Sequence, residues 1–358
     1  MVRPSLEVKG LTRAELEHAL QEMGELRYRA AQIFQWIYKR QVGSFEDMSN
    51  LPKALRHSLA ERFTLKLLSV LQEDRSRDGA RKFLFGLEDG KQIESVLIPD
   101  EDRMTACLST QAGCALACAF CLTGVMGFQR HLEAWEIIGQ IPALQERLQS
   151  EGRITHLVLM GMGEPLHNYE ATVKALRVMT EKEGLAFSPR RITLSTVGLP
   201  KALEKLGEEG IGVNLAISLH APTDDLRDQL VPINRRYPLK ELLEACRAYP
   251  LPPRRRLTFE YVLLDGVNDR IEDAKELAVL LQGLRCKINL IPLNEAPEIP
   301  FKRPSRERLL AFQQVLHDQG YTATLRESRG WDISAACGML NTEAVRKGLF
   351  RNKRAFFS

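Results

Sequence analysis

The chain has 358 residues, of which 44% are apolar and 27% are charged. This balance excludes a disordered chain, a collagen-like fibre and a small disulfide scaffold, because so long a chain can bury a core without cross-links. The net charge is +4, and the last 18 positions alone account for it with five basic residues against one acidic residue.

The first 75 residues predict a small helical accessory domain, because apolar side chains recur at helical spacing, as at Leu16, Leu20 and Met23. The next segment, residues 76–100, predicts a hairpin extension. There the apolar residues 83–85 and 93–97 flank a turn at Asp89 and Gly90.

Residues 101–340 alternate between strand-like and helix-like patterns. We predict strands at 104–109, 156–160, 191–195, 213–219, 257–264, 287–291 and 322–325. We predict helices at 134–149, 169–180, 239–248, 273–281 and 306–317. This alternation implies an α/β fold with a parallel sheet, as either an incomplete barrel or an open doubly wound sheet. In both, active groups are expected after the carboxyl ends of the strands.

Residues 341–358 form a basic tail in which Phe350, Phe356 and Phe357 lie among the charges. This mixture suits contact with nucleic acid, although a solvated chain end has the same composition.

Seven cysteines are present, and four of them fall within residues 107–121. The chain begins without an apolar signal segment and contains no run of about 18 apolar residues. We therefore predict a cytoplasmic protein without membrane contact, in which clustered thiols bind a metal or take part in catalysis.

Cys114, Cys118 and Cys121 follow the first strand of the alternating region with C-x3-C-x2-C spacing. Three interpretations are open. A helix could bury the three thiols, or zinc could bind them with Cys107 or His131. In the third, three thiolates hold a [4Fe–4S] cluster and leave one iron open to a small molecule. The tight spacing favours the cluster.

A second motif, GMGEP at residues 161–165, follows the next predicted strand. Glycine there lets the backbone approach a ligand closely, and Glu164 supplies a carboxylate for an ammonium group. A tight turn with a solvated glutamate would have the same sequence.

These motifs, in this order, make the chain resemble the RlmN/Cfr family of radical S-adenosylmethionine (SAM) enzymes, which methylate RNA adenines. The resemblance covers roughly residues 10–345. The segments that carry it are 93–96 (IESV), 107–114 (CLSTQAGC), 120–124 (FCLTG), 127–130 (GFQR), 161–166 (GMGEPL), 193–196 (TLST), 218–221 (SLHA), 231–234 (VPIN), 288–292 (INLIP) and 329–338 (RGWDISAACG).

The resemblance implies a radical SAM partial (βα)6-type barrel with an N-terminal helical domain that binds RNA. It assigns Cys114, Cys118 and Cys121 to the [4Fe–4S] cluster, whose open iron would chelate SAM. Two SAM molecules would be used per turnover. The residues at SAM-binding positions are Gly163, Glu164, Ser195, Ser218, Leu219, His220 and Asn294. A monomer that receives electrons from a flavodoxin or a ferredoxin is expected.

The resemblance also assigns catalytic roles. Cys337 would accept a methyl group from one SAM, and a second SAM would supply the radical that activates this methyl group for addition to the base. Cys107 would then release the product by forming a disulfide with Cys337, and Glu94 would accept the proton from the base. Taken singly, Cys337 could be a buried loop cysteine and Glu94 a strand-surface carboxylate. Cys246 and Cys286 are interpreted as structural.

The function implied is methylation of adenine C2 in 23S rRNA, at the peptidyl transferase centre, and in tRNA, at the adenosine 3′ of the anticodon. One alternative is Cfr-type methylation of C8 of the same rRNA adenine. An alternative of another class is a non-catalytic RNA-binding protein with a structural zinc ion. Trp331, Met339 and Val197 differ from the residues usual in the family, which bears on the choice of substrate.

Overall fold

A computed structural model describes residues 6–149 and 151–342 of the protein. The basic tail predicted at 341–358 lies outside the described residues from position 343 onward.

The described chain contains strands and helices throughout its length. The strands are β1 Leu6–Glu7, β2 Phe63–Thr64, β3 Ser69–Arg75, β4 Arg81–Gly86, β5 Gln92–Asp100, β6 Arg103–Cys107, β7 Gln111–Gly113, β8 Phe128–His131, β9 His156–Leu159, β10 Ile192–Thr196, β11 Asn214–Ser218, β12 Leu257–Leu263, β13 Cys286–Pro292 and β14 Ala323–Leu325. The helices are α1 Arg13–Glu22, α2 Arg29–Phe34, α3 Lys53–Arg62, α4 Leu122–Met126, α5 Ala134–Leu148, α6 Tyr169–Thr180, α7 Pro200–Glu208, α8 Asp224–Leu230, α9 Leu239–Ala248, α10 Ile271–Leu280 and α11 Arg306–Asp318.

The N-terminal unit contains three helices and is closed by a short parallel pairing of β1 with β2. Thr12 begins α1 with a capping box, in which its hydroxyl accepts the Glu15 N–H and the Glu15 carboxylate accepts the Thr12 N–H at 2.8 Å. The helical prediction is wrong for residues 69–75, which form β3. This segment forms a hairpin with β4 along its length, and this pairing overrides its weak helical pattern.

A ten-stranded sheet forms the rest of the fold, in the order β14-β13-β12-β11-β10-β9-β6-β5-β4-β3. The seven strands from β6 to β14 are parallel, whereas β3, β4 and β5 extend the sheet in antiparallel pairing. The two apolar runs predicted to flank the turn at Asp89 and Gly90 pair as β4 and β5, which places Phe85 opposite Ile93.

The strand order decides between the two architectures considered from the sequence. The parallel strands lie side by side in chain order and never reverse direction of winding, as they would in a doubly wound sheet. Successive right-handed βα units wound in one direction place their helices on one face and leave the other face as a barrel interior. The predicted α/β partial barrel is therefore confirmed. None of the helices in the described ranges has the length and apolar composition needed to cross a bilayer.

Candidate active site

A cavity lies at the carboxyl ends of the parallel strands, and we call it the carboxyl-end cavity. It is lined by the three clustered cysteines, by residues that follow β9, β10 and β11, by β12 and β13, and by the C-terminal segment. Of the seven residues predicted to bind SAM, six line it. They are Gly163, Glu164, Ser195, Ser218, His220 and Asn294.

The cysteine loop, residues 114–121, connects β7 to α4 and has no helical structure. The interpretation of these cysteines as one face of a helix is therefore wrong. Gly113 fixes the start of the loop, because its φ is +75° and an added Cβ would lie 1.9 Å from the Gly127 carbonyl oxygen. The same carbonyl accepts the Cys114 N–H at 3.0 Å, which joins the two ends of the segment. The backbone thus holds the three thiols on a closed loop.

Apolar side chains surround the cysteine loop, and burial raises the pKa of all three thiols, that of Cys114 to about 12. Backbone N–H groups nevertheless point at the sulfurs, that of Leu116 at Cys114 and those of Thr123 and Gly124 at Cys121. N–H groups in this position stabilise metal-bound thiolates. In the described ranges, no three Cys, His, Asp or Glu side chains converge on a point where one metal ion could bind.

Glu164 is buried below the cysteine loop. Its carboxylate accepts the N–H groups of Leu166 and Val197, each at 3.0 Å. Burial nevertheless raises its pKa to about 7.

Gly163, beside Glu164, has a role that was not predicted. Gly163 has a φ of +100°, and an added Cβ would lie 2.5 Å from the Gln111 side chain. Glycine at this position therefore makes room for β7 of the protein itself.

The ends of β10 and β11 present Ser195 and Ser218 to the cavity, with their hydroxyl oxygens 3.5 Å apart. Leu219 is fully buried behind them and does not line the cavity. The buried Arg227 connects these strand ends. Its guanidinium donates to the carbonyl oxygens of Val197 (2.8 Å), Ser218 (3.1 Å) and Leu219 (3.0 Å).

The fourth bond from Arg227 goes to the Asn234 side-chain oxygen at 2.8 Å. Sequence patterns did not single out Arg227. Its position in the amphipathic segment of α8 resembles that of an ordinary surface arginine.

His220 is buried and has a left-handed backbone conformation, with φ at +64°. Its Nδ1 accepts the Val262 N–H at 3.0 Å, so the neutral ring carries its proton on Nε2. Burial lowers the pKa of His220 to about 3. The side chain therefore presents a neutral ring with an Nε2 hydrogen-bond donor at the cavity wall.

Two buried oxygen atoms in the cavity wall have no hydrogen-bond partner within the described residues. They are Oδ1 of Asn294 and Oε2 of Glu260. The Asn294 amide nitrogen donates to the Cys337 carbonyl at 3.0 Å, and the other Glu260 oxygen accepts from Asn289 at 3.0 Å. Buried acceptors of this kind require donors from a ligand or from water. Sequence analysis missed Glu260, although a single carboxylate within the otherwise apolar and hydroxyl-bearing β12 was an available signal.

A second cavity, the amino-end cavity, extends inside the barrel from the first residues of β6 and β9 to Cys107 at the end of β6. Five residues line both cavities and form the wall between them. They are Met160, Ile291, Arg326, Cys337 and Leu340. The structure therefore places both predicted catalytic thiols in one cavity, and Cys337 also faces the cysteine loop.

The two thiols are close enough to interact electrostatically. The pKa of Cys107 is raised to about 12, mainly by burial and to a lesser extent by the charge of the neighbouring Cys337. Cys337 is exposed as a residue, but its sulfur is desolvated, and this raises the pKa of the thiol to about 11. Arg326 opposes both shifts, and within the described residues its guanidinium has no hydrogen bond or ion pair. No sequence motif included Arg326.

Glu94 lies on β5, is 2% exposed and lines neither cavity. Its carboxylate accepts the Asn341 N–H at 2.6 Å and lies 3.3 Å from the buried Lys82 ammonium group. The segment that carries Cys337 therefore covers Glu94 in this conformation.

Comparison with known proteins identifies the family of the chain. The family described as "Ribosomal RNA large subunit methyltransferase N-terminal domain" matches residues 6–65, and the family described as "Radical SAM superfamily" matches residues 108–278. A "Dual-specificity RNA methyltransferase RlmN" from Syntrophobacter fumaroxidans is 52% identical over 94% of this chain and 98% of its own length. The protein of the same name from Geobacter sulfurreducens is 50% identical over 94% of this chain and 92% of its own length.

A solved structure supports the same relationship. The crystal structure of a radical SAM methyltransferase from Sphaerobacter thermophilus has 51% sequence identity and a TM-score of 0.87, and the match covers 94% of this chain and 99% of that one. This membership rules out the non-catalytic zinc protein considered from the sequence. The chain belongs to the RlmN family of radical SAM RNA methyltransferases.

Proposed function

We propose that the protein methylates C2 of an adenine in 23S rRNA and in tRNA through a methyl group carried on Cys337. The observation that carries the proposal is the position of Cys337 in the wall shared by two cavities, one of which contains the cysteine loop and the other Cys107. The curated relatives named for dual specificity support two RNA substrates.

The carboxyl-end cavity fits a [4Fe–4S] cluster and SAM. Cys114, Cys118 and Cys121 would hold the cluster, which together with SAM supplies one-electron chemistry and a methyl group when bound. The unpartnered oxygens of Asn294 and Glu260 suit the amino and hydroxyl groups of SAM, which are hydrogen-bond donors. Of the other residues predicted to bind SAM, Leu219 would act only through the backbone.

Cys337 and Cys107 would complete the reaction as a pair. Once the methyl-derived carbon joins Cys337 to the base, the Cys107 thiolate attacks the Cys337 sulfur. An S–S bond forms, the C–S bond breaks, and its electron pair stays on the carbon, which takes up a proton from water to become the product methyl group. The disulfide must then be reduced by a thiol reductant before the next turnover. Arg326, near both sulfurs, favours the thiolate of Cys107.

Glu94 would accept the proton from C2 of the base. The Lys82 ammonium group lies 3.3 Å from this carboxylate and holds it in place on β5. Because Asn341 covers Glu94, the reaction requires the C-terminal segment to shift when RNA binds.

The partners follow from the substrates and the chemistry. We propose a cytoplasmic monomer that acts on rRNA and tRNA and receives electrons from a flavodoxin or a ferredoxin. Two SAM molecules would be used per product, one for the methyl group and one for the radical.

Replacing each thiol of the pair tests the proposal. The Cys337→Ala variant is expected to yield no methylated RNA. Cys107→Ala is expected to accumulate a covalent protein–RNA adduct, visible as a slow band in denaturing gels. Cys286→Ala, which changes a cysteine outside both cavities, is the control and should turn over normally.

Nucleoside mass spectrometry of the product identifies the position of the methyl group. Formation of 2-methyladenosine is expected. Formation of 8-methyladenosine would refute the assignment of C2, and normal turnover by Cys107→Ala would refute its role in product release.

A further inference from the structure

We propose that the amino-terminal edge of the parallel sheet binds the RNA substrate, and that the target nucleotide reaches Cys337 through the amino-end cavity. This inference rests on the proposed function and adds the location of the RNA-binding surface. The sequence placed that surface on the helical domain and the basic tail only.

Arginines stand at the start of five of the seven parallel strands. Arg103 begins β6, Arg153 precedes β9, residues 190–191 precede β10, residues 254–256 precede β12, and Arg285 precedes β13. We call these eight residues the amino-edge arginines. They are scattered over more than 180 positions in the sequence, and the parallel arrangement brings them to one edge.

The amino-edge arginines are available to an external anion. Seven of them are exposed, and Arg255 is partly exposed. Within the described residues none forms an ion pair, and three donate only to uncharged oxygens. These are Arg255 to the Asn214 side chain, Arg256 to the Thr322 hydroxyl and Arg285 to the Leu251 carbonyl. A shallow depression is lined by residues 254–256, which precede β12, and by Arg285.

Acidic residues also stand near this edge. Residues 100–102 are acidic and precede or begin the turn into β6, and residues 208–209 precede β11. Several of these carboxylates have cationic partners of their own: Glu151 is ion-paired with Arg81 at 3.0 Å, and Glu209 with Arg177 at 2.5 Å. The amino-edge arginines have no ion pair within the described residues, so their charge is available to the phosphate backbone of a nucleic acid.

The amino-end cavity connects this edge with the catalytic thiols. Arg103 and Arg191 line its outer part beside His156, whose pKa is lowered by burial and then by these two cations. Arg326 lines its inner end with Cys107 and Cys337. A base turned out of its RNA strand could enter this cavity while the flanking phosphates remain on the edge.

The N-terminal unit borders the same edge. Arg13 lies 3.4 Å from Glu181, and Gln35 donates to Glu183 at 2.6 Å. Both glutamates lie on the connection between α6 and β10, which leads to the arginines at 190–191. A bound RNA could therefore contact both surfaces at once.

An acidic electron-donor protein is the other macromolecule that a basic face could attract. Such a donor must approach the cluster, and the cysteine loop lies at the opposite end of the strands. A strand of the length of β12 spans about 23 Å at roughly 3.3 Å per residue. The observations therefore favour RNA at the amino edge.

Charge-removal variants of the full-length, cluster-loaded protein test this inference. Residues 254–256 are changed together to Gln, and Arg190 and Arg191 are changed together in a second variant. The control removes the same charge as the first variant from exposed residues near the carboxyl edge, with Arg235, Arg236 and Lys240 changed to Gln. Binding of a fluorescein-labelled, unmodified tRNA transcript is measured by anisotropy between about 50 and 200 mM salt.

We expect each amino-edge variant to bind the transcript at least about tenfold more weakly, and the slope of log K against log salt to flatten by about one for each lost phosphate contact. The control should bind as the unchanged protein does. Methyl transfer from SAM to Cys337 needs no RNA, and it should proceed normally in all variants by intact-protein mass spectrometry.

Wild-type RNA binding by the amino-edge variants, or an equal loss in the control, would overturn the inference. So would slower reduction by flavodoxin together with unchanged RNA binding, which would indicate a protein-docking face. If the unchanged protein binds the transcript at this edge but never forms 2-methyladenosine, the proposed function fails and the binding surface stands.

Discussion

Replacement of Arg227 by methionine should cause a large loss of stability. The guanidinium is 1% exposed and donates four hydrogen bonds, to the carbonyls of Val197, Ser218 and Leu219 and to Asn234. Methionine fills a similar volume but leaves these acceptors without donors. An unsatisfied buried acceptor costs roughly 1–3 kcal/mol, and the apolar side chain recovers part of this by packing. We therefore expect the free energy of unfolding to fall by about 4 kcal/mol, in the range found when buried charge networks are broken.

Urea denaturation followed by fluorescence measures this loss. With an m-value of about 3 kcal/mol/M, the midpoint should fall by more than about 1 M. Arg247→Met is the control, because this arginine is exposed and should change stability by less than about 0.5 kcal/mol. Arg227→Lys retains the charge but cannot span all four acceptors, so its loss should be intermediate. A loss in Arg227→Met within about 1 kcal/mol of the control would refute the reasoning. The displaced strand ends should also weaken SAM binding by at least about tenfold.

Three other perturbations give distinct expectations. Because burial lowers the pKa of His220 to about 3, the folded state binds fewer protons than the unfolded state below about pH 6.5. The free energy of unfolding should therefore fall as the pH is lowered from about 6.5 towards 3, and His220→Asn should flatten that dependence in pH-resolved denaturation. Gly113→Ala should abolish iron incorporation, because its Cβ would meet a carbonyl oxygen at 1.9 Å. Gly24→Ala, in the N-terminal unit with positive φ but no described atom within 4 Å, should cost only about 1–2 kcal/mol and retain iron by metal analysis. The Thr123 hydroxyl donates to the Leu340 carbonyl at 2.7 Å, so Thr123→Val should speed amide exchange in the C-terminal segment, whereas Thr123→Ser should not.

Patterns local in sequence predicted the fold best. The helices at Tyr169–Thr180 and Leu239–Ala248 begin and end where the helical spacing of apolar residues predicted. The strand Ser69–Arg75 was missed, because its place in the sheet depends on pairing with β4 and its own residues are mostly polar.

The site shows the same division. The spacing of the clustered cysteines and the GMGEP turn identified one wall of the carboxyl-end cavity. Arg227, Glu260 and Arg326 were missed because each acts on groups from distant strands, and only the order of strands in the sheet brings them together. The amino-edge arginines likewise form no motif in the sequence. They precede five different strands that are far apart along the chain, and only the parallel sheet brings them to one edge.

The two thiols of the proposed pair differ in how firmly the backbone holds them. Cys107 ends a strand that pairs with β5 on one side and with β9 on the other, so the antiparallel extension keeps it away from any sheet edge. Cys337 stands on an irregular segment held by separate bonds to groups elsewhere in the chain, namely Leu122, Thr123, Asn294 and Glu94. Opening free energies are lowest where so few bonds hold a segment. The backbone therefore holds Cys107 in a fixed position and allows Cys337 to move. In the proposed catalytic cycle, only the short segment that carries Cys337 would change conformation, and the barrel would not.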